Sequence, residues 1–386
     1  MCMLYLVQFM DKATLGSSAI LGIRAATHLT TNQLGTIFFL GYLLFEYPQN
    51  LALQGFPVGK WMSCNILIWS IALCCHAACT NFAGLFVVRL ILGICEGSIT
   101  AGFMIVSSMF YTRNEQTLRV GYWFSMDGAA QIISGFISFG TLHIHTSRFE
   151  PWQWYMIITG TITFILAICF FLFFPDSPTN AWFLTPEERV LAVMRIKHNQ
   201  TGIENKHFKM EQMIEALVDP KTWMFALFSA IDNVPNSLIN QRTLIVASFG
   251  FTDLQTTLLS CVDGIVIMLT IWSGVKLAAR YPNSRAYVAI IYFIPTIVGG
   301  IVVNILPWSD SVGLLIGVYL TDFGYTGFVL SLSWVSSVTA GHTKRITTNA
   351  IMLSAFCIGN AAGTFMWQEQ YKPRNHIPWF VNMISP

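Results

Sequence analysis

Eleven windows of roughly 20 predominantly apolar residues recur along this chain, and a window of that length is what crosses a bilayer as an α-helix. They lie near Met1–Ile20, Leu34–Leu53, Trp61–Cys79, Ala83–Met104, Val120–Leu142, Trp152–Phe174, Trp223–Val246, Leu254–Val275, Ala286–Leu306, Val312–Val335 and Ile346–Trp367. Hydrocarbon offers the backbone no hydrogen-bond partner, so each span must be a helix. An all-α membrane protein is expected. Charged residues are 10% of the chain, against about 25% in soluble domains. The net charge of +2 is spread thinly, with no basic-aromatic cluster, so no nucleic-acid partner is expected. The nine cysteines sit mostly in apolar runs without metal-ligand spacing and read as small hydrophobes, so no metal or cofactor is expected. Asp11-Lys12 inside the first window, with no basic leader, argues against a cleaved signal peptide.

The extended hydrophilic stretch Pro175–Lys221 divides the chain into a six-helix bundle over 1–174, a linker over 175–221 and a five-span bundle over 222–386. Within the linker, Thr185-Pro186-Glu187-Glu188 has the pattern of a capping box that starts a short helix. Basic residues crowd alternate loops, from Lys60 through Arg113 and Arg119, Arg189 to Lys221, Lys276 to Arg285, and Lys344-Arg345. Opposite loops and the tail hold Arg24, Arg148, Lys372 and Arg374. By the positive-inside rule the first set and the N-terminus are cytoplasmic, and the sequon Asn199-Gln200-Thr201 faces the cytosol unused. Ile377–Pro386 is too short to span, which leaves the C-terminus outside. The loops Phe56-Pro57-Val58-Gly59-Lys60 and Tyr281-Pro282-Asn283-Ser284-Arg285 share an aromatic-Pro-x-x-basic pattern at matching places, a hint of internal repetition.

Ionisable residues inside spans cost about 2.5–3.5 kcal/mol each even on a lenient scale, so they persist where they face a cavity or a partner. Arg89 and Glu96 lie two helical turns apart on one face, about 10 Å along the axis, as two stations of one polar path. The planar fork of Arg89 suits a carboxylate ligand, with a salt bridge to Glu46 or Asp11 as the structural alternative. Gly93 between them leaves room for a ligand or for close helix packing. Desolvation favours a neutral carboxyl, so Glu96 is the favoured proton carrier, with Glu46 and Asp127 behind it. Asn233, Asn236 and Asn240 fall at i, i+3 and i+7 as one polar stripe, either substrate contact or interhelical glue. Pro235 removes a helix hydrogen bond and is expected to free the carbonyl of Ile231. Arg242 is expected to snorkel outward, while Asp263 and Asp322 read as structural partners of buried bases. His76 reads as a packed core residue, His143 and His145 as solvated, and Gly359-x-x-x-Gly363 as a close helix contact. There is no nucleophile elbow or phosphate-cradling loop, so no enzyme is expected.

Leu4 to Lys12 in the first span, Arg89-x-x-Leu92-Gly93-x-x-Glu96-Gly97, Pro175-Asp176-Ser177-Pro178 and Asn233-Val234-Pro235-Asn236 together resemble the fungal allantoate permease-like transporters. That group is the anion:cation symporter branch of the major facilitator superfamily. The resemblance implies two helical bundles working by alternating access, with twelve spans, so the twelfth is expected to be missing here. It also implies that Lys12 contacts the substrate anion, beside Asp11 as an internal tie. The chain departs from the pattern in lacking a cytosolic N-terminal tail, in a short Asn32-Gln33-Leu34-Gly35 junction, and in Gln54-Gly55-Phe56-Pro57 without the usual acid and base. The expected function is proton-coupled symport of a small organic anion, such as an allantoate-like ureido acid, a vitamin-type carboxylate or a sulfonate. The rival is a truncated, non-transporting binding or sensing protein of the same fold. A monomer in the plasma membrane, with the lipid bilayer, the anion and the proton as partners, completes the expectation.

Overall fold

The computed structural model describes residues 1–23, 31–79, 81–144, 149–197, 207–281, 283–371 and 374–385, and for residues 20, 31, 32, 113, 114, 240, 336 and 369 the backbone alone. Asn199-Gln200-Thr201, Arg24, His145, Arg148, Lys206, Pro282 and Lys372 lie outside the described residues, as does the side chain of Asn240. The described chain folds into helices. These are α1 (Cys2–Ile20), α2 (Thr31–Gly55), α3 (Val58–His76), α4 (Phe82–Phe110), α5 (Arg113–Phe124), α6 (Met126–Leu142) and α7 (Pro151–Phe173). The linker supplies α8 (Pro186–Lys197) and α9 (Met210–Val218). Then follow α10 (Pro220–Asp232), α11 (Leu238–Ser248), α12 (Asp253–Arg280), α13 (Arg285–Ile305), α14 (Ser311–Leu320), α15 (Tyr325–Val338), α16 (His342–Thr364) and α17 (His376–Ile384).

Their ends are set by local chemistry. Asn81 caps α4 by accepting from the Gly84 N–H at 2.8 Å. Thr112 and Glu115 close a capping box on α5, as do Thr252 and Gln255 on α12. Thr185 and Glu188 do the same at α8, with bonds of 2.9 and 3.3 Å, as their spacing predicts.

Among the described residues, seven helical stretches are long and apolar enough to cross a membrane by length and composition. The others in the series of windows are α1 and α2, which carry many buried polar side chains, and two interrupted windows. Three of the windows are broken, the seventh at the proline that marks it. The fifth is divided at Ser125, whose hydroxyl donates back to the Tyr122 carbonyl at 2.9 Å. The seventh turns through a 3₁₀ segment, Pro235–Ser237, and the tenth through another, Thr321–Gly324. The carbonyl of Ile231 is not freed by Pro235, because the tightened turn lets the Val234 N–H donate to it at 3.2 Å.

Glycines let backbones meet where the helices cross. A Cβ at Gly93 of α4 would run into the Phe38 carbonyl of α2, and one at Gly41 of α2 would sit 2.5 Å from the Leu90 carbonyl. Between Gly93's two possible roles, close packing is the one found. Gly128 of α6 and Gly264 of α12 face each other's carbonyls, and Gly359 and Gly363 of α16 abut the Ala230 and Val234 carbonyls. Around these contacts runs an aromatic core. Tyr5 packs on Phe9, Phe103, Trp123 and Phe124, and Phe124 reaches Phe328, which stacks on Phe356 at 5.4 Å. The helix α9 lies against the start of α16, where Gln212 accepts from the Thr343 N–H at 3.2 Å and Lys344 reaches Glu215 and Asp219 at 2.8 and 3.0 Å.

Candidate functional site

Between the first and second sets of long helices lies a cavity of about 1430 Å³, open water at its mouth included. Its aromatic wall includes Phe9, Phe38, Phe39, Tyr42, Phe328 and Phe356, and its charged residues are Asp11, Lys12, Arg89, Asp232, Arg242 and Asp322. The aromatic face and the few polar groups match the usual make-up of a small-molecule site.

Asp11 and Lys12 diverge on α1, as their adjacent positions require. Asp11 is fully buried and accepts from the Thr163 hydroxyl of α7 at 3.0 Å, which ties the first helix to its neighbour. Lys12 points toward the cavity, and its ammonium stands 3.7 Å from a Glu96 carboxylate oxygen. It also lies over the Phe9 ring at 5.0 Å and the Phe356 ring at 5.9 Å, so one cation touches aromatic rings from both halves of the chain. Glu96 does not line the cavity itself. It sits behind Lys12, with no exposed surface, and neither of its carboxylate oxygens accepts a hydrogen bond.

Arg89 is 2% exposed and lines the cavity, yet its Nε and Nη2 have no hydrogen-bond partner. Among the described residues it forms no ion pair with Glu46 or Asp11. Glu46 instead accepts from its own helix neighbour Asn50 at 2.7 Å and leaves its other oxygen unpartnered. Neither Glu46 nor Asp127 lines the cavity. Both are fully buried, and Asp127 has no hydrogen-bond partner at either oxygen. His76 is buried with Nδ1 against the Ala72 carbonyl at 2.9 Å, and His143 bonds the Phe139 carbonyl at 2.9 Å.

On the far side of the cavity, Asn233 donates to the Ser229 carbonyl at 2.8 Å, and Asn236 donates to Asn360 of α16 at 2.7 Å. All three asparagines face the cavity. Arg242 does not snorkel. Its Nη1 holds both oxygens of Asp263 at 2.6 and 2.7 Å and one of Asp322 at 2.5 Å, while Nη2 reaches Thr321 at 3.0 Å. The two carboxylates, from α12 and the 3₁₀ turn of the tenth window, draw the guanidinium inward, which outweighs its route to an interface. Asn360 and Asp232 are cavity residues that reading the sequence missed. Asn360 could have been found as an amide inside an apolar window. Asp232 abuts the asparagine stripe but carries no spacing signal of its own.

The model of the Major Facilitator Superfamily matches residues 1–364. The chain is similar to an uncharacterized transporter of Schizosaccharomyces pombe, 36% identical across 97% of this chain and 66% of that protein. It is equally similar, at 36%, to a thiamine pathway transporter of Saccharomyces cerevisiae, across 100% of this chain and 74% of that one. The allantoate permease of the same yeast is 31% identical, across 97% of this chain and 72% of its own length. The chain thus spans about two thirds of the length of the first of these relatives. A solved proton:xylose symporter of the major facilitator superfamily superposes with a TM-score of 0.78 at 11% identity, covering 99% of this chain and 91% of that one. So low an identity speaks to the fold alone, which is the all-helical, two-bundle arrangement.

Proposed function

The chain belongs to the major facilitator superfamily, a multi-pass membrane transporter and not an enzyme, and we propose that it moves a small organic anion in symport with a proton. The observation that carries this reading is that Lys12 stands 3.7 Å from the fully buried Glu96 while Arg89, on the wall of the same cavity, keeps two nitrogens without a hydrogen-bond partner. An arriving carboxylate takes the bidentate face of Arg89 and competes with Glu96 for Lys12. Once Lys12 turns to the substrate, Glu96 is a buried carboxylate without a cation, and desolvation drives it to take up a proton. Anion and proton then load together. The reverse exchange at the other face of the membrane releases both. The amides of Asn233 and Asn236 hold the polar remainder of the substrate, and the sequence spacing adds Asn240 as a third candidate.

The same reading has eleven spans with the N-terminus cytoplasmic, bundles over 1–174 and 222–386 joined by 175–221, and a monomer in the plasma membrane. The cargo classes are allantoate-like ureido acids, vitamin-type carboxylates and sulfonates. Uptake of a panel of labelled small acids at several external pH values tests it. Saturable uptake that rises as external pH falls is expected. Uptake of no acid in the panel, or uptake indifferent to the pH gradient, overturns the symport.

A further inference from the structure

Five of the six charged side chains on the cavity wall have another charge or a hydroxyl within reach or form part of one charged cluster, and one does not. Asp11 has Thr163, Lys12 has Glu96, and Arg242 and Asp322 have each other. Arg89 belongs to the Lys12–Glu96 cluster but keeps two buried nitrogens without an acceptor. Asp232 stands apart. It is the last residue of α10, it is partly exposed on the cavity wall, and it forms neither a hydrogen bond nor an ion pair with any described residue.

Among the described residues no donor on the wall bonds Asp232, although Arg242 Nε and Asn382 Nδ2 on the same cavity are themselves unpartnered. The amide nitrogens of Asn233, Asn236 and Asn360 donate within the protein, to the Ser229 carbonyl, to Asn360 and to the Phe356 carbonyl. The side-chain oxygens of Asn233 and Asn236 are left without a donor from the described residues, on the cavity that Asp232 also lines. One face of the cavity therefore has the unused donors of Arg89, and the other has a carboxylate and two amide oxygens beside Arg242, whose charge is already held by Asp263 and Asp322. Polar groups partly withdrawn from water in this way cost free energy unless a partner meets them. An anion alone meets only the first face.

We infer that Asp232 is a substrate-binding residue that selects acids bearing N–H donors, its carboxylate accepting from an ammonium or ureido group while Arg89 and Lys12 hold the acid's own carboxylate. This rests on the proposed anion site and narrows its substrate class: plain carboxylates and sulfonates without an N–H end leave the Asp232 face unmet. The discrimination expected of a site built to meet such donors is large, because the unmatched ligand leaves a desolvated carboxylate behind.

Two matched pairs of probes test it. Cysteine and 3-mercaptopropionate differ by the α-ammonium, and N-carbamoylglycine and 4-oxopentanoate differ by replacing ureido nitrogens with carbon. Uptake into cells expressing the chain is expected to favour at least one N–H-bearing acid over its counterpart by tenfold or more in apparent substrate constant. The ratio should fall toward one in Asp232→Asn and persist in Asp232→Glu, both at wild-type surface abundance. No preference in either pair for the wild type, or a preference unchanged in Asp232→Asn, overturns the inference. The imposed pH gradient decides the symport separately. Proton-driven uptake of only the plain acids sinks the Asp232 assignment and leaves the symport standing, whereas Asp232-dependent preference with no response to the gradient does the reverse.

Discussion

Lys12 and Arg89 are cations facing one cavity, but they differ in what they have to give up. Lys12 already has Glu96 at 3.7 Å, while Arg89 holds two buried nitrogens unpartnered. Arg89→Lys keeps the charge and loses the planar fork. A rise of at least tenfold in apparent substrate constant, about 1.4 kcal/mol, is expected at unchanged surface abundance, and wild-type affinity would assign Arg89 to structure. Glu96→Gln mimics the protonated acid at nearly the same volume. Net accumulation driven by a pH gradient should vanish while exchange of internal for external substrate persists, since exchange needs no proton at this site. Accumulation retained in vesicles would move the proton to Glu46 or Asp127. Arg242 is different again, because two buried carboxylates depend on it. Arg242→Gln leaves both uncompensated, and a loss of about 3–5 kcal/mol is expected, read as a lower unfolding temperature in detergent. A wild-type temperature would show that the pair of acids had another partner. Arg89 and Glu96 were legible in the sequence because a charge in an apolar run stands out. The place of Arg242 was not, since its direction depends on Asp263 and Asp322 arriving from other helices.

At the scale of helices, glycine does two jobs that sequence spacing separates only in part. Gly359-x-x-x-Gly363 announced its packing by its period, and the structure has both glycines against backbone carbonyls of the seventh window. Gly93 carried two readings until the Phe38 carbonyl was located over it. Gly93→Val would push α2 and α4 apart, because a backbone carbonyl cannot rotate away as a side chain can. A cost of about 1–3 kcal/mol is expected from such overpacking, as reduced surface abundance and a lower unfolding temperature. Gly140→Val is the matched control, since a Cβ there meets nothing within 4 Å. Equal stability of the two variants would remove the α2–α4 crossing as the reason for Gly93. The helix breaks divide in the same way. Pro235 marked the seventh window, but Ser125 and Thr321–Gly324 interrupt runs whose hydropathy is continuous. Hydroxyls of Ser125 and Thr321 bond back to carbonyls one turn earlier, at 2.9 and 2.6 Å, a local competition that periodicity does not register.

At the scale of the molecule, the two halves touch at both ends of the cavity. Where α2 begins and α16 ends, the hydroxyls of Thr36 and Thr364 are 2.8 Å apart. Where α2 ends and α16 begins, Gln54 donates to Thr343 at 3.2 Å, Arg345 donates to Ser108 at 2.7 Å, and Arg285 donates to Thr117 at 3.0 Å. Each is a polar bond between small or flexible side chains, at roughly 0.5–1.5 kcal/mol net for the neutral pairs and about 1.5–3 kcal/mol where arginine donates, weak enough for one end to part while the other stays closed. Alternating access by rocking of two bundles requires that each set break once per cycle. The hydroxyl pair offers the cleaner test, because two residues whose side-chain oxygens meet at 2.8 Å have Cβ atoms close to disulfide distance. Thr36→Cys with Thr364→Cys should transport when reduced and stop when oxidised, for net uptake and for exchange alike, and each single variant should ignore the oxidant. Locking this end leaves ligand access only from the other, so thermal stabilisation by substrate should survive oxidation in detergent while flux does not. Full transport by a completely cross-linked protein would mean that Thr36 and Thr364 stay together throughout the cycle, and the moving contact would then have to be sought elsewhere along the boundary between α2 and α16.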